Sequence, residues 1–248
     1  MTVDVSSVCD IGQKRERNQD AILIHQDPSL FLSMFVVADG MGGHSDGELA
    51  SGAIVSGLKT WVSQADVRNH IGSLPILLQA AQGQLSKINS YILQMMNVGQ
   101  VCGSTCVVLL ILRESFGVLS VGDSRIYRCR NLRCEPITRD DVWENQQSVL
   151  TQYSEQERRR HKDYGKLVHA VGNEPELACS IQTDGLRSGD VFALCSDGIY
   201  KMCSPGFLKR SLISCQWRKL DAVRDSILRE VYRNGAKDNA SLILVRCI

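Results

Sequence analysis

Nothing in this chain of 248 residues is apolar for long enough to cross a bilayer. The longest such runs, Phe31–Ala38 and Thr105–Leu112, fall far short of the roughly 20 residues needed. The N-terminal Met-Thr-Val-Asp-Val-Ser has neither a basic start nor an apolar core, so no secretory signal and a cytoplasmic location are expected. Charge of one sign is also lacking. The 28 Lys and Arg against 27 Asp and Glu leave a net +1, which removes the electrostatic case for nucleic acid or a membrane surface as partner. The cluster Arg158–Arg160 lies in a polar helix-like segment and reads as a solvated face. No Cys-x-x-Cys occurs among the ten cysteines, which are scattered and often sit inside apolar runs. They are expected to be reduced and buried, as in a cytosolic protein. Repeats, linkers and low-complexity stretches are absent, so residues 1–248 read as a single domain, expected to be a monomer.

What is present is a regular alternation of structure. Apolar and β-branched runs predict strands near 2–9, 20–25, 31–38, 104–113, 116–121, 124–130, 177–183, 190–196 and 241–247. Helical spacing predicts Asp46–Ser63, with Ala50, Ile54, Leu58 and Trp61 on one stripe, and Ser73–Asn97, with Ser73 as N-cap and Pro75 in the first turn. A third amphipathic helix covers about 217–233, and a weaker polar one about 141–160. Trp61, Trp143 and Trp217 read as packing residues. Residues 104–130 read as a hairpin group with turns at Glu114–Gly117 and Gly122–Ser124. Strands grouped around helix pairs, without strict βαβ alternation, predict an α+β fold with antiparallel sheets.

Three apolar runs meet an aspartate beside a small residue. Phe31–Ala38 ends in Asp39-Gly40-Met41-Gly42-Gly43-His44, Val191–Ser196 ends in Asp197-Gly198, and Lys237-Asp238-Asn239 opens Ala240–Val245. Strands deliver carboxylates to one place more rigidly than loops do, and glycines let a ligand approach the backbone. Acids of this kind without a His or Cys ligand set suit a hard divalent cation, Mg2+ or Mn2+. Upstream, Asp10–Asp20 holds a glycine turn, Arg15, Arg17 and an acid just before a strand. An arginine near metal-binding carboxylates is suited to clamping a phosphate in a bidentate way. Together these parts describe a phosphate clamp beside two metal ions able to activate a water for attack on phosphorus.

In order along the chain, Arg15-x-x-Asn-Gln-Asp20, Ala38-Asp-Gly-Met-Gly-Gly-His44, Gly103-Ser-Thr105, Gly122-Asp-Ser-Arg125, Ser196-Asp-Gly198 and Lys237-Asp-Asn239 resemble the successive motifs of the protein phosphatase 2C family, in its bacterial stand-alone form. The resemblance runs from about residue 5 to 246. It implies a four-layer α-β-β-α sandwich of two antiparallel sheets flanked by helices. It also implies metal-dependent hydrolysis of phosphoserine and phosphothreonine in proteins with two Mn2+ or Mg2+ ions, and a weaker third. By the same resemblance, Asp39 bridges both metals and the Gly40 carbonyl binds the first. Asp197 and Asp238 hold the second, and Asp20 acts through water. Asp123 shares the third site with Asp197, and Arg15 binds the substrate phosphate. Gly103-Ser-Thr105 reads as the start of a buried strand.

Departures from the family pattern are specific. Met41 stands where animal members carry a histidine proposed as general acid, and His44 either reaches a proton relay or supports the glycine turn. Gln19 replaces a glutamate that some members place near the second metal. Thr138-Arg-Asp-Asp-Val142 stands where Thr-x-Asp-His-Ser is common, and segment 141–170 is expected to set substrate choice. Phosphorylated proteins and a cognate serine/threonine kinase, including one of type VI secretion, are the implied partners. Two rival readings remain: a phosphoprotein-binding regulator without turnover, and a cysteine-dependent phosphatase using Cys9 and Arg15 in Cys-x-x-Gly-x-x-Arg. Against the second, Asp10 beside Cys9 opposes thiolate formation.

Overall fold

A strand reads as one continuous apolar run when both of its faces are covered. The computed structural model, which describes residues 2–42, 46–95 and 102–248, shows this for residues 34–38 of the run at 31–38. Met34, Val36 and Ala38 pack outward against helices, while Phe35 and Val37 pack inward against a second sheet. Among the described residues, the first sheet has the order β1 (Val3–Asp10), β11 (Ala240–Cys247), β10 (Val191–Cys195), β7 (Arg125–Arg130) and β8 (Arg133–Pro136). The second has the order β2 (Asp20–Asp27), β3 (Leu32–Gly42), β5 (Cys106–Leu112), β6 (Ser115–Val121) and β9 (Ser180–Gly185), with β4 (Cys102–Ser104) paired to the far end of β3. Every pairing is antiparallel.

Three apolar layers hold the four structural layers together. Between the sheets lie Phe35, Val37, Leu109, Phe116, Val118, Phe192, Leu194, Ile243 and Val245. Outside the second sheet, α1 (Asp46–Val62) and α2 (Leu74–Met95) contribute Ile54, Leu58, Leu78, Leu85 and Ile88. Outside the first sheet, α6 (Pro205–Ser214) and α7 (Leu220–Arg233) contribute Leu208, Leu212, Val223, Ile227 and Val231. The α-β-β-α sandwich expected from the resemblance is therefore the fold observed.

Local expectations fail in informative places. Residues 104–130 are not one hairpin group. β5 and β6 pair through a tight turn at Arg113-Glu114, but Gly122–Ser124 carries the chain across to the other sheet, where β7 pairs with β10 and β8. The polar segment 141–160 breaks into a 3-10 turn (Trp143–Asn145), α3 (Gln147–Gln152) and α4 (Glu155–Arg160). It has no apolar stripe to hold one long helix, and Ser154 with Glu157 forms a capping box that starts a new one. Two helices escaped the sequence reading: α5 (Asp197–Tyr200) and α6, although Ser204-Pro205 is a helix-start signal and Ser204 does cap α6.

The expectation of ten reduced thiols also fails. Cys129 and Cys134 face each other across β7 and β8 with Cα atoms 4.0 Å apart and are disulfide-bonded. Register, not sequence spacing, brings them together. Most of the other cysteines are buried and free, as expected.

Phe192 is fully buried and meets Phe116 edge-on at 4.7 Å, in the centre of the inter-sheet layer. Truncation there removes contacts that neither sheet can replace by shifting alone. Phe192→Ala is expected to lower stability by about 3–5 kcal/mol in chemical denaturation. A loss below 1 kcal/mol would show that the sheets do not depend on this layer.

Candidate metal centre

Strand parity carries the acids to one edge of the sandwich. Phe35 and Val37 point inward from β3, and Asp39, two residues on, continues that face to the strand end. Asp20 lies opposite Asp39 in the β2–β3 register, so both carboxylates share the inner face. From the facing sheet, Asp197 follows β10 and Asp238 precedes β11. Asp123 sits in the crossover between the sheets, so the segment misread as a hairpin turn is what brings it to the joint. A cavity of about 370 Å³ there is lined by Arg15, Gln19, Asp39, Gly40, Met41, Thr105, Asp123, Gly165, Leu167, Asp197, Lys201 and Asp238, among others.

The structure thus brings together Arg15, Asp39, Gly40, Asp123, Asp197 and Asp238, with Asp20 directly behind Asp39. Arg15 reaches into the cavity, with Nη2 2.7 Å from Asp238 Oδ2. Arg17 turns away toward Glu48, 3.7 Å distant, and does not line the cavity. Cys9 is also outside the lining. Its thiol donates to the Asp20 carbonyl and accepts from Asn18 and Ser241. Burial first, and Asp20 and Asp10 further down, push that thiol up, opposing nucleophilic use. The guanidinium that the rival reading needs is on Asp238. His44 lies outside the described residues.

Backbone packing at the joint is tight. A Cβ on Gly40 would strike the Gly47 and Gln19 carbonyls, and one on Gly198 would strike the Asn239 carbonyl. The glycines beside the acids therefore let protein backbones approach one another, whereas the sequence reading assigned them to ligand approach.

Electrostatics define the site. Burial, then Asp20, Asp197, Asp123 and Asp238 in that order, holds the Asp39 carboxyl well above the usual carboxylate range. Burial pushes Asp20 up to about 6, with the Ser196 hydroxyl opposing. Asp20 is 7% exposed; its Oδ2 accepts from Ser196 at 2.7 Å, while its Oδ1 is buried with no hydrogen-bond partner. An orphaned carboxylate oxygen behind a ring of acids is what an oxygen-liganded cation, or water on it, would satisfy. As they stand, the described residues contain no group of three or more His, Cys, Asp or Glu drawn tight enough to hold an ion. The acids are spread around the cavity with Arg15 and Lys201 between them. An all-oxygen donor set of this charge fits Mn2+ or Mg2+.

Several working side chains had no such role assigned from the sequence. Thr105 Oγ1 accepts from the Asp39 N–H at 3.1 Å and lies 2.7 Å from the Ser124 hydroxyl, tying the Asp39 strand to the crossover. It was read only as the start of a buried strand. Buried Asn239 accepts from the Gln19 N–H and donates to the Ile11 and Arg17 carbonyls, fixing the loop that carries Arg15. Asp141 accepts from the Gly122 N–H, and Asp140 grips Arg125 through two nitrogens. These two acids of Thr138–Val142 support the crossover. Segment 141–170 folds over one side of the cavity, held by Trp143 stacked on His161 at 4.0 Å, and contributes Gly165 and Leu167 to the rim. Lys201 and Tyr200, on the turn after Asp197, also belong to the site.

Residues 12–233 match the family model described as protein phosphatase 2C. The protein phosphatase PhpP of Streptococcus pneumoniae is 29% identical, over 98% of this chain and 97% of its own. The structure of PppA, described as a key regulatory component of T6SS in Pseudomonas aeruginosa, superposes with a TM-score of 0.82 at 30% identity, covering 100% of this chain and 99% of that one. The S. agalactiae serine/threonine phosphatase, 24% identical, has the same fold, with a TM-score of 0.88 over the whole of both chains. With the motif order, the sandwich and the acid-lined joint already in place, the match over most of its length settles the matter: this chain belongs to the protein phosphatase 2C family.

Proposed function

We propose that the chain is one catalytic domain that hydrolyses phosphoserine and phosphothreonine in proteins, using two Mn2+ or Mg2+ ions. The observation that supports this most is the delivery of acids from both sheets to one cavity around a half-buried Asp39 and an Asp20 oxygen without a partner. Asp39, the Gly40 carbonyl, Asp197 and Asp238 would hold the ions, with Asp20 acting through water. When bound, the ions would activate the attacking water and neutralise the phosphoryl oxygens.

The remaining steps belong to the chain's own residues. Arg15 keeps about half of its side chain exposed while one nitrogen rests on Asp238. It can therefore turn its donor fork to an arriving phosphate without unfolding the loop that Asn239 secures. Gly165 and Leu167 narrow the entrance and would contact the residues flanking the phosphoamino acid. Met41 in the cavity wall has no ionisable proton, so protonation of the leaving serine or threonine oxygen does not come from that position.

The reading extends to a serine/threonine kinase as opposing partner. Similarity to the serine/threonine protein phosphatase PstP of Mycobacterium tuberculosis, at 25% identity, supports it. The 30% identity with PppA, described as a key regulatory component of T6SS, supports a link of this phosphatase to type VI secretion. No described helix is long and apolar enough to cross a membrane; action on proteins in the cytoplasm is part of the proposed reading.

Activity on a phosphothreonine peptide should vanish with EDTA and return with Mn2+. Asp39→Asn should lower turnover by about a thousandfold, several kcal/mol of lost charge stabilisation. Turnover within tenfold of wild type would remove Asp39 from the centre. Arg15→Ala should lower kcat/KM by about ten- to a hundredfold, as expected for a charge-assisted contact, and Arg17→Ala should leave it near wild type. The reverse order would make Arg17 the clamp.

Proton linkage gives an independent check. In the metal-free protein Asp20 titrates near 6 and Asp39 also lies high, against about 3.9 in unfolded chains. The folded state thus holds more protons between roughly pH 4 and 6 and above, and the contribution of these acids to stability falls as pH rises. Metal replaces those protons. Saturating Mn2+ should therefore raise the melting temperature more at pH 7.5 than at pH 5.5. Equal shifts would contradict the assignment.

A further inference from the structure

At one end of the cavity an ammonium already occupies the position of a cation. Lys201 follows Asp197 by four residues, one helical turn along α5, and its Nζ lies 2.6 Å from Asp197 Oδ2 and 3.4 Å from Asp123 Oδ2. The geometry is braced from beneath. Tyr200 places its hydroxyl 3.1 Å from both Asp123 Oδ2 and the Asp123 carbonyl. The Tyr200 ring lies under the Arg125 guanidinium at 3.7 Å, and Arg125 is gripped by Asp140. Asp123 is 8% exposed, and its Oδ2 is the oxygen that Tyr200 and Lys201 share.

We propose that Lys201 is the resident cation of the Asp123–Asp197 end of the cavity, so that Asp123 is a partner of Lys201 and Tyr200 and not a metal ligand. This rests on the two-metal reading and departs from the third ion implied by the family resemblance. A divalent ion between Asp123 and Asp197 would have to settle beside an ammonium about 3 Å from each carboxylate, against direct like-charge repulsion. Divalent ions are thereby confined to the end formed by Asp39, Asp20 and Asp238, with the free side of Asp197. Unlike a bound ion, the ammonium stays when the metals leave. Its three N–H donors keep Asp123 and Asp197 apart and partly neutralised.

Mn2+ binding to the intact protein, counted by electron paramagnetic resonance of the free ion at up to millimolar Mn2+, tests this without an activity assay. Wild type is expected to bind two ions, and Asp123→Asn also two. Lys201→Met, at a half-exposed position, is expected to gain a third, weaker ion. Lys201→Met combined with Asp123→Asn should lose it again. Three ions in wild type, one fewer in Asp123→Asn, or no gain in Lys201→Met would each overturn the proposal. Because Asp123→Asn alone decides whether Asp123 is a ligand, the test does not depend on the Lys201 variant folding. Failure of wild type to bind any Mn2+ would instead overturn the metal reading on which the proposal stands.

Discussion

Like charges brought together out of water repel, and this structure is organised around containing that repulsion. Asp20, Asp39, Asp123, Asp197 and Asp238 meet at the joint between two sheets, and the Asp20–Asp39 pair holds its protons more tightly than free carboxylates do. Folding the metal-free chain therefore carries an electrostatic cost that only cations or protons can relieve. Arg15 and Lys201 relieve part of it from within the chain. What remains is a negatively charged, oxygen-lined cavity whose chemistry suits divalent ions. On the proposed function, those ions would make a phosphate dianion welcome in a place full of aspartates, and catalytic power and structural tension would have one source.

Holding such a cluster in place requires a rigid frame, and the frame is built from neutral hydrogen bonds and tight backbone contacts. Thr105 ties Asp39 to the crossover, Ser196 reaches from one sheet to Asp20 on the other, and Asn239 locks the Arg15 loop against β11. Each of these links joins stretches of chain dozens to hundreds of residues apart. The glycines beside Asp39 and Asp197 serve the same end, letting backbones close on each other where a methyl group would collide. The inter-sheet layer around Phe116 and Phe192 then fixes the distance between the two halves of the site.

Much of this could be read before the structure was known, for a physical reason. Continuous apolar runs mark strands covered on both faces, and an acid that ends such a run must lie at the rim of a core. Asp39, Asp197 and Asp238 were legible on that ground, and their ordered motifs identified the sandwich. Gly122-Asp-Ser124 was not, because the same residues make a hairpin turn or a crossing between sheets. Only the pairing of β7 with β10 distinguishes the two. The contacts of Thr105, Asn239 and Tyr200 were illegible because their work is done across long sequence separations by groups common in ordinary turns and cores. The Cys129–Cys134 pair was likewise invisible to spacing arguments, since it follows from strand register. Lys201 lay one helical turn from a recognised aspartate, yet its partner Asp123 is 78 residues away.

The central claim is that these acids converge on a pair of cations. Anomalous diffraction at the manganese edge, from crystals soaked in Mn2+, tests it most directly. The account predicts two neighbouring peaks inside the cavity, with Asp39 touching both and Asp197 and Asp238 on the second. An empty cavity, or manganese bound only elsewhere on the molecule, would contradict it.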